Sequence, residues 1–326
     1  MNENAEEFRK ITMKVLVMQL ASVTIMDLVA FGGAGIGAAL AVAGTQNGGG
    51  IAAALFLVLV AAEFFLPLRA FGSAFHVAMN GVSAGRMMLT LLEEPEPAWG
   101  EAQPCGGRLE LEDVHFSYAP GRETLHGVSV VFPDRGMTAI VGESGCGKST
   151  LLKLLLRFWE RSGGQIRYNG TDIDEINTES LYRNVTMVSQ STYLFDATIA
   201  ENLRIAKPDA TDEELMAALR MASAEELVQA LPEGLSTPAG LLGGRLSMGE
   251  LQRIGLARAF LSGCPLILLD EPTRNVDSIN EGVILRALLK HRQGRTIILV
   301  SHRASTMAVA DRVYKMENGQ MEEQAI

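Results

Sequence analysis

The chain's 326 residues suffice for two domains, and its charge is unevenly shared between its two ends. Residues 1 to 92 are mostly apolar with five acidic and five basic side chains, so 33 of the 38 acidic and 23 of the 28 basic residues lie beyond them, where the whole net charge of -10 resides. An acidic soluble part without clustered Lys and Arg argues against a nucleic-acid partner, because a phosphate backbone needs cations to replace its counterions.

Val15 to Ala43 holds one ionisable side chain, Asp27, over more residues than a bilayer-spanning helix needs, and reads as a first membrane span of about 15–43. The breaker-rich turn Gly44-Thr45-Gln46-Asn47-Gly48-Gly49-Gly50 follows. A second apolar run from Ile51 to Leu68, interrupted only by Glu63, reads as a second span extending helically to about Arg86. Arg9, Lys10 and Lys14 precede the pair and Arg69 and Arg86 follow it, while the turn has no basic residue, which puts both ends in the cytoplasm. A cleaved signal peptide fits poorly, since the charged start is acidic as well as basic and the first apolar run is too long. The competing reading is a buried core hairpin of a soluble protein. Asp27 and Glu63 are costly in hydrocarbon, so each is expected to face a partner helix or a wet cavity. Pro67 is expected to kink the second helix.

The Pro, Gly and charge content of Glu93-Glu94-Pro95-Glu96-Pro97 and Gln103-Pro104-Cys105-Gly106-Gly107 marks an exposed linker. The expected organisation is a membrane hairpin over 1–93, a linker over 94–106 and a soluble domain over 107–326.

In the soluble part, Leu109 to Ser117 alternates as a half-buried strand, and Val128 to Phe132 reads as another. The apolar run Met137 to Val141 leads into Gly142-Glu143-Ser144-Gly145-Cys146-Gly147-Lys148-Ser149, which fits G-x-x-x-x-G-K-[ST], and Lys148 to Trp159 follows as a helix. Strand, glycine loop and helix form the context in which backbone N–H groups cradle phosphates, a lysine reaches the outer ones and a Ser hydroxyl holds Mg²⁺. The chain is therefore expected to bind a nucleoside triphosphate. About Thr198 to Leu261 is mainly helical in pattern, and Leu266 to Leu269 and Thr296 to Val300 suit buried parallel strands. Asp270-Glu271 closes the first of these, bringing two carboxylates to the strand's carboxyl edge, one suited to Mg²⁺ and one to polarising a water. Ser301-His302 closes the next strand, and Leu246-Ser247-Met248-Gly249-Glu250 opens a helix start that attracts anions.

Cys105, Cys146 and Cys264 are not paired at metal or redox spacing, consistent with a domain facing the reducing cytosol. Cys146 is either a small residue in its turn or a thiol that makes the nucleotide site sensitive to alkylation.

From Arg108 onward these residues resemble the ATP-binding cassette (ABC) transporter family. Gly142 to Ser149 is similar to its Walker A loop, Gln190 to its Q-loop glutamine, Leu246 to Glu250 to its signature motif and Leu266 to Asp270 to Walker B. Glu271 matches the catalytic base, Asp277 the D-loop aspartate, His302 the switch histidine, and Tyr118 the aromatic residue that stacks on adenine, for which a plain core tyrosine is the alternative. The resemblance implies an α/β P-loop NTPase with a RecA-like core, a helical subdomain and an N-terminal β-subdomain, preceded by an all-α membrane hairpin. It implies ATP and Mg as cofactors. Nucleotide contacts fall to Tyr118, Gly142, Ser144, Gly145, Cys146, Gly147, Lys148, Ser149, Thr150, Gln190 and Asp270, with Ser149, Gln190 and Asp270 on the metal. Catalysis falls to Glu271, His302, Lys148 and Gln190. Ser247, Gly249, Glu250 and Asp277 serve the nucleotide of a second, head-to-tail cassette.

The signature departs from the family's LSGGQ at Met248 and Glu250, which favours an asymmetric heterodimer with one weaker site. The order of parts is similar to an exporter-type half-transporter of the plasma membrane, multi-pass with its ATPase domain in the cytoplasm. Leu66-Pro67-Leu68-Arg69 is similar to cysteine or glutathione exporters of the cytochrome bd assembly type. Such exporters have six helices per half, of which the two here resemble the last pair. Either Met1 begins an incomplete gene product, or the missing helices are expected from a separate polypeptide. Asp27 and Glu63 then either touch the cargo or pair structurally, and lipid and a second half-transporter are the expected partners. The rival readings are a soluble ABC ATPase not involved in transport and an uncoupled truncated remnant.

Overall fold

The computed structural model describes residues 2–46, 50–94, 100–119, 121–240, 243–244 and 246–324. They fall into two compact units, Met1–Pro97 and Ala98–Ile326.

The first unit is a pair of long helices, α1 (Asn2–Gln46) and α2 (Ile51–Leu92). Their contact is made by small side chains. Ala30, Ala41 and Ala61 are buried, and a Cβ placed on Gly37 would lie 2.5 Å from the Ala61 Cβ. Such residues let backbones approach closely where hydrocarbon surroundings remove the usual hydrophobic drive. Large apolar side chains such as Leu28, Phe56 and Phe64 point outward. One segment, Glu6–Gln46, is long and apolar enough to cross a membrane, and Ile51–Ala61 is a shorter apolar stretch, among the described residues. Both helices outrun the expected spans. At about 1.5 Å per residue, α1 is roughly twice the thickness of a bilayer's hydrocarbon core. Pro67 lies inside α2, which continues as helix on both sides of it. Asp27 is half-buried and Glu63 exposed. Residues 47–49 of the expected turn and 95–99 of the expected linker lie outside the described residues.

In the second unit, residues 100–106 run along the domain surface rather than free of it. The Gly100 and Ala102 N–H groups donate to the Asp174 and Glu175 carbonyls at 2.9 Å, and the Asn177 N–H returns a bond to Ala102. Thereafter come β1 (Leu109–Ala119), β2 (Arg122–Phe132), β3 (Gly136–Val141), α3 (Lys148–Leu155), β4 (Gly163–Tyr168), β5 (Thr171–Asp172), α4 (Thr178–Asn184) and β6 (Val185–Val188). The helical section holds α5 (Ile199–Arg204), α6 (Asp212–Met221), α7 (Glu225–Gln229) and α8 (Met248–Leu261). The chain finishes with β7 (Leu266–Asp270), α9 (Ser278–His291), β8 (Thr296–Ser301), α10 (Ala304–Met307), β9 (Arg312–Glu317) and β10 (Gln320–Gln324).

α3 is shorter than the expected Lys148 to Trp159. It stops at Leu155 because Arg157 turns into the left-handed region (φ 53°), from where its guanidinium donates to the Ile173 and Ile176 carbonyls and the Thr178 hydroxyl. Phe158 and Trp159 are left exposed.

An antiparallel sheet in the order β2-β1-β4-β5 packs beside a six-stranded sheet in the order β10-β9-β3-β8-β7-β6. In the larger sheet β9, β3, β8, β7 and β6 run parallel. Both faces are covered, so its strands read as apolar runs without polar alternation. Ile267, Leu269, Ile297 and Leu299 join the core under the helical section, while Leu266, Leu268, Ile298 and Val300 join the core shared with α3 and the antiparallel sheet. Because neighbouring strands are parallel, the segments following β3, β6, β7 and β8 emerge at one edge, where such sheets bind ligands.

Candidate functional site

The loop between β3 and α3 is shaped by glycines at which a side chain would be strained or crowded. Gly147, the N-cap of α3, has φ 111°, and a Cβ there would lie 2.8 Å from Leu125 Cδ2 and 3.2 Å from the Thr124 carbonyl oxygen. A Cβ on Gly142 would lie 2.2 Å from the Met316 carbonyl oxygen. The buried Lys148 folds back over this loop, with Nζ donating to the carbonyls of Gly142 (2.9 Å) and Glu143 (2.6 Å). Cys146 Sγ is 3.6 Å from the same nitrogen.

Beside the loop, the Ser149 hydroxyl donates to Asp270 Oδ1 at 2.9 Å, joining the residues that follow β3 and end β7. Burial pushes the Asp270 carboxyl above its ordinary range; the Ser149 bond opposes this, and the neighbouring Glu271 adds to it. Glu271 has φ 46°, unusual for a residue with a side chain, and its N–H donates to the Val300 carbonyl of β8. That turn brings its Oε1 to 3.5 Å from His302 Nδ1 and its Oε2 to 3.2 Å from Arg274 Nη1. With its amide oxygen facing the guanidinium, Gln190 accepts from Arg274 Nη1 at 2.6 Å and from Nε at 2.9 Å. A hydroxyl and a carboxylate are hard donors, and the 2.9 Å approach of Ser149 to Asp270 suits that pair to a magnesium ion; the Gln190 amide oxygen is a further hard donor, turned here to Arg274.

The Tyr118 hydroxyl is hydrogen-bonded to Thr150 Oγ1 at 3.1 Å, and its half-exposed ring meets Phe116 and Trp159 edge-on with centroids 4.8 and 5.5 Å away. Ser144, Gly145 and Cys146 open onto a cavity of about 460 Å³ whose lining also includes Thr124, His126 and Lys315. Those wall residues were not singled out from the sequence. The one signal for them is Gly319, whose carbonyl accepts from the His126 N–H and where a Cβ would lie 2.5 Å from the His126 ring.

The remaining expected residues sit at two helix starts. Ser247 caps α8 in a reciprocal box: its hydroxyl accepts from the Glu250 N–H, and the Glu250 carboxylate accepts from the Ser247 N–H at 2.7 Å. Met248 is 38% exposed at this start. Asp277 caps α9 by accepting from the Ile279 and Asn280 N–H groups and the Asn280 amide. The two starts touch, since a Cβ on Gly249 would lie 2.9 Å from Asn280 Cγ. Among the described residues, no hydrogen bond joins Ser247, Glu250 or Asp277 to the loop group.

A glycine loop feeding a helix, with its serine bonded to the aspartate of a neighbouring parallel strand, defines a P-loop nucleotide-binding domain. Residues 125–274 match the family model described as ABC transporter. Over 99% of its length the chain is 40% identical to an uncharacterized ABC transporter ATP-binding protein of Haemophilus influenzae, covering 59% of that protein. It is likewise 40% identical, over 79% of its length, to the human ATP-binding cassette sub-family B member 6, covering 31% of it. Among solved structures, a bacterial Atm1-family ABC exporter with ATP bound superposes with a TM-score of 0.70 at 29% identity, over 98% of this chain and 57% of that one. The chain carries an ABC transporter ATPase domain, which binds ATP, joined to a helical segment that aligns with the membrane region of that exporter. It spans less than two thirds of each of these relatives.

Proposed function

We propose that this chain is the ATP-hydrolysing part of an ABC exporter, coupling nucleotide turnover to movement of a substrate across a membrane. The observation that carries the reading is the gathering of Lys148, Ser149, Gln190, Asp270, Glu271 and His302 at one sheet edge, with Ser149 and Asp270 in direct hydrogen bond. The loop N–H groups and Lys148 hold the phosphates, and Tyr118 presents its ring to the base. Ser149, Asp270 and Gln190 hold magnesium, which when bound neutralises charge on the outer phosphates. Glu271 accepts the proton of the attacking water, and His302, within reach of the Glu271 carboxylate, senses the terminal phosphate.

Head-to-tail pairing with a second half-transporter brings the Ser247, Gly249, Glu250 and Asp277 helix starts to the partner's nucleotide. A heterodimer is favoured by this chain's own signature. The Glu250 carboxylate and the exposed Met248 stand where a partner's phosphate approaches, and a carboxylate there repels an anion even while it caps the helix. The two helices cross the plasma membrane as part of a multi-pass region completed by helices from outside residues 1–93, with the ATPase domain in the cytoplasm. Similarity to the Atm1-family exporter over 98% of the chain favours this reading over a soluble ABC ATPase.

The test is Glu271→Gln in the membrane-bound protein. ATP binding is expected to persist while hydrolysis falls by at least about a hundredfold, the loss typical of a removed general base. Undiminished turnover would take the catalytic role away from Glu271.

A further inference from the structure

Arg274 stands three residues beyond Glu271, in a turn closed by its own N–H donating to the Glu271 carbonyl at 3.0 Å. Its guanidinium forks between two groups with different tasks in the proposed reaction. Nη1 is 3.2 Å from Glu271 Oε2, while Nη1 and Nε both reach the Gln190 amide oxygen, at 2.6 and 2.9 Å. One planar cation thus occupies the oxygen that Gln190 offers to a metal and one oxygen of the carboxylate that addresses water. A divalent cation approaching the same amide oxygen meets the guanidinium as a like charge, so the two compete for it. Room for the arginine to leave exists on its own side: its side chain is 45% exposed, whereas that of Glu271 is 13% exposed.

We propose that Arg274 is a positioning residue that latches Gln190 to Glu271, and that magnesium-nucleotide has to displace it before both can act. This rests on the function proposed above. The latch opposes the metal-bearing nucleotide specifically, because Lys148 and the glycine loop hold the phosphates and are not among its hydrogen-bond partners. It keeps the water-activating carboxylate engaged until the correct ligand arrives. A half-exposed guanidinium is screened by solvent, so the effect is moderate.

The experiment measures equilibrium ATP binding to the full chain in lipid nanodiscs, with magnesium and with EDTA, for the wild type, Arg274→Ala, Arg274→Lys and Lys148→Ala. Arg274→Ala is expected to tighten Mg-ATP binding about three- to tenfold, with binding in EDTA unchanged. Arg274→Lys, which keeps the charge but loses the fork, falls between. A residue that merely supports the fold would shift both media together. An equal magnesium increment in wild type and Arg274→Ala overturns the latch, as does weaker Mg-ATP binding in Arg274→Ala, which would make the arginine a phosphate contact. Lys148→Ala separates the two levels of the proposal. Lost binding in both media supports the site, and wild-type binding would overturn the site and the latch with it.

Discussion

Gly147 illustrates how tightly single residues constrain this site. Its positive φ strains any side chain, and a methyl group there would press on Leu125 Cδ2 at 2.8 Å and on the Thr124 carbonyl at 3.2 Å. Gly147→Ala is therefore expected to lower stability by about 1–3 kcal/mol and to weaken ATP binding, read by thermal unfolding with and without nucleotide. An unchanged melting temperature together with unchanged nucleotide stabilisation would contradict the strained turn. Lys148, Ser149, Asp270 and His302 were legible because their spacing after apolar runs places them on one edge of a parallel sheet. Arg274 was not, since its meaning lies in a contact with Gln190 across 84 positions of sequence, and no local pattern encodes that. The left-handed Glu271 was also hidden: a carboxylate at a strand end looks the same in either backbone region.

Whole elements were legible in proportion to the strength of their local signals. The apolar runs of β3, β7 and β8 are buried on both faces, so their strand character shows directly in composition. Three helices of the helical section, α5, α6 and α8, begin with reciprocal capping boxes, Thr198 with Glu201, Thr211 with Glu214 and Ser247 with Glu250. That spacing is a start signal that would have resolved the section into separate helices. β6 escaped notice because four residues are too few to show a period, and α3 was overextended because Arg157 reverses the chain without a Gly or Pro to announce it. Contact between elements also had to come from the structure. α8 is joined to the Gln190 segment by the buried Gln252, whose amide donates to the Gln190 carbonyl at 2.6 Å and whose oxygen accepts from Thr192. Gly255 leaves room for that approach, since a Cβ there would lie 2.4 Å from Thr192 Oγ1. The first turns of α8 and the Gln190 backbone are therefore parts of one hydrogen-bonded assembly.

At the scale of the molecule, the division of charge separated an apolar helical pair from an acidic ATPase domain before any element was assigned. The close packing of α1 on α2 through Ala30, Gly37, Ala41 and Ala61 was not read, because alanine and glycine in an apolar run look the same whether they face lipid or a helix. The proposed asymmetry of pairing rests on Met248 and Glu250 at the helix start that, in the proposed pair, would face the opposite nucleotide. Purified alone, the chain is expected to hydrolyse ATP slowly, with turnover rising when a partner carrying an uncharged signature is added. A homodimer hydrolysing at both sites, seen as two nucleotides turned over per pair, would contradict that arrangement.

The central claim is that ATP is captured by the loop from Gly142 to Ser149, and photo-crosslinking tests it most directly. Membranes carrying the full chain would be irradiated with radiolabelled azido-ATP in magnesium, and the labelled peptide mapped. Labelling is predicted to be saturable, competed by ATP, located in the peptide carrying Tyr118 or the loop, and lost in Lys148→Ala. Absence of labelling in the wild type, or equal labelling of Lys148→Ala, would contradict the account.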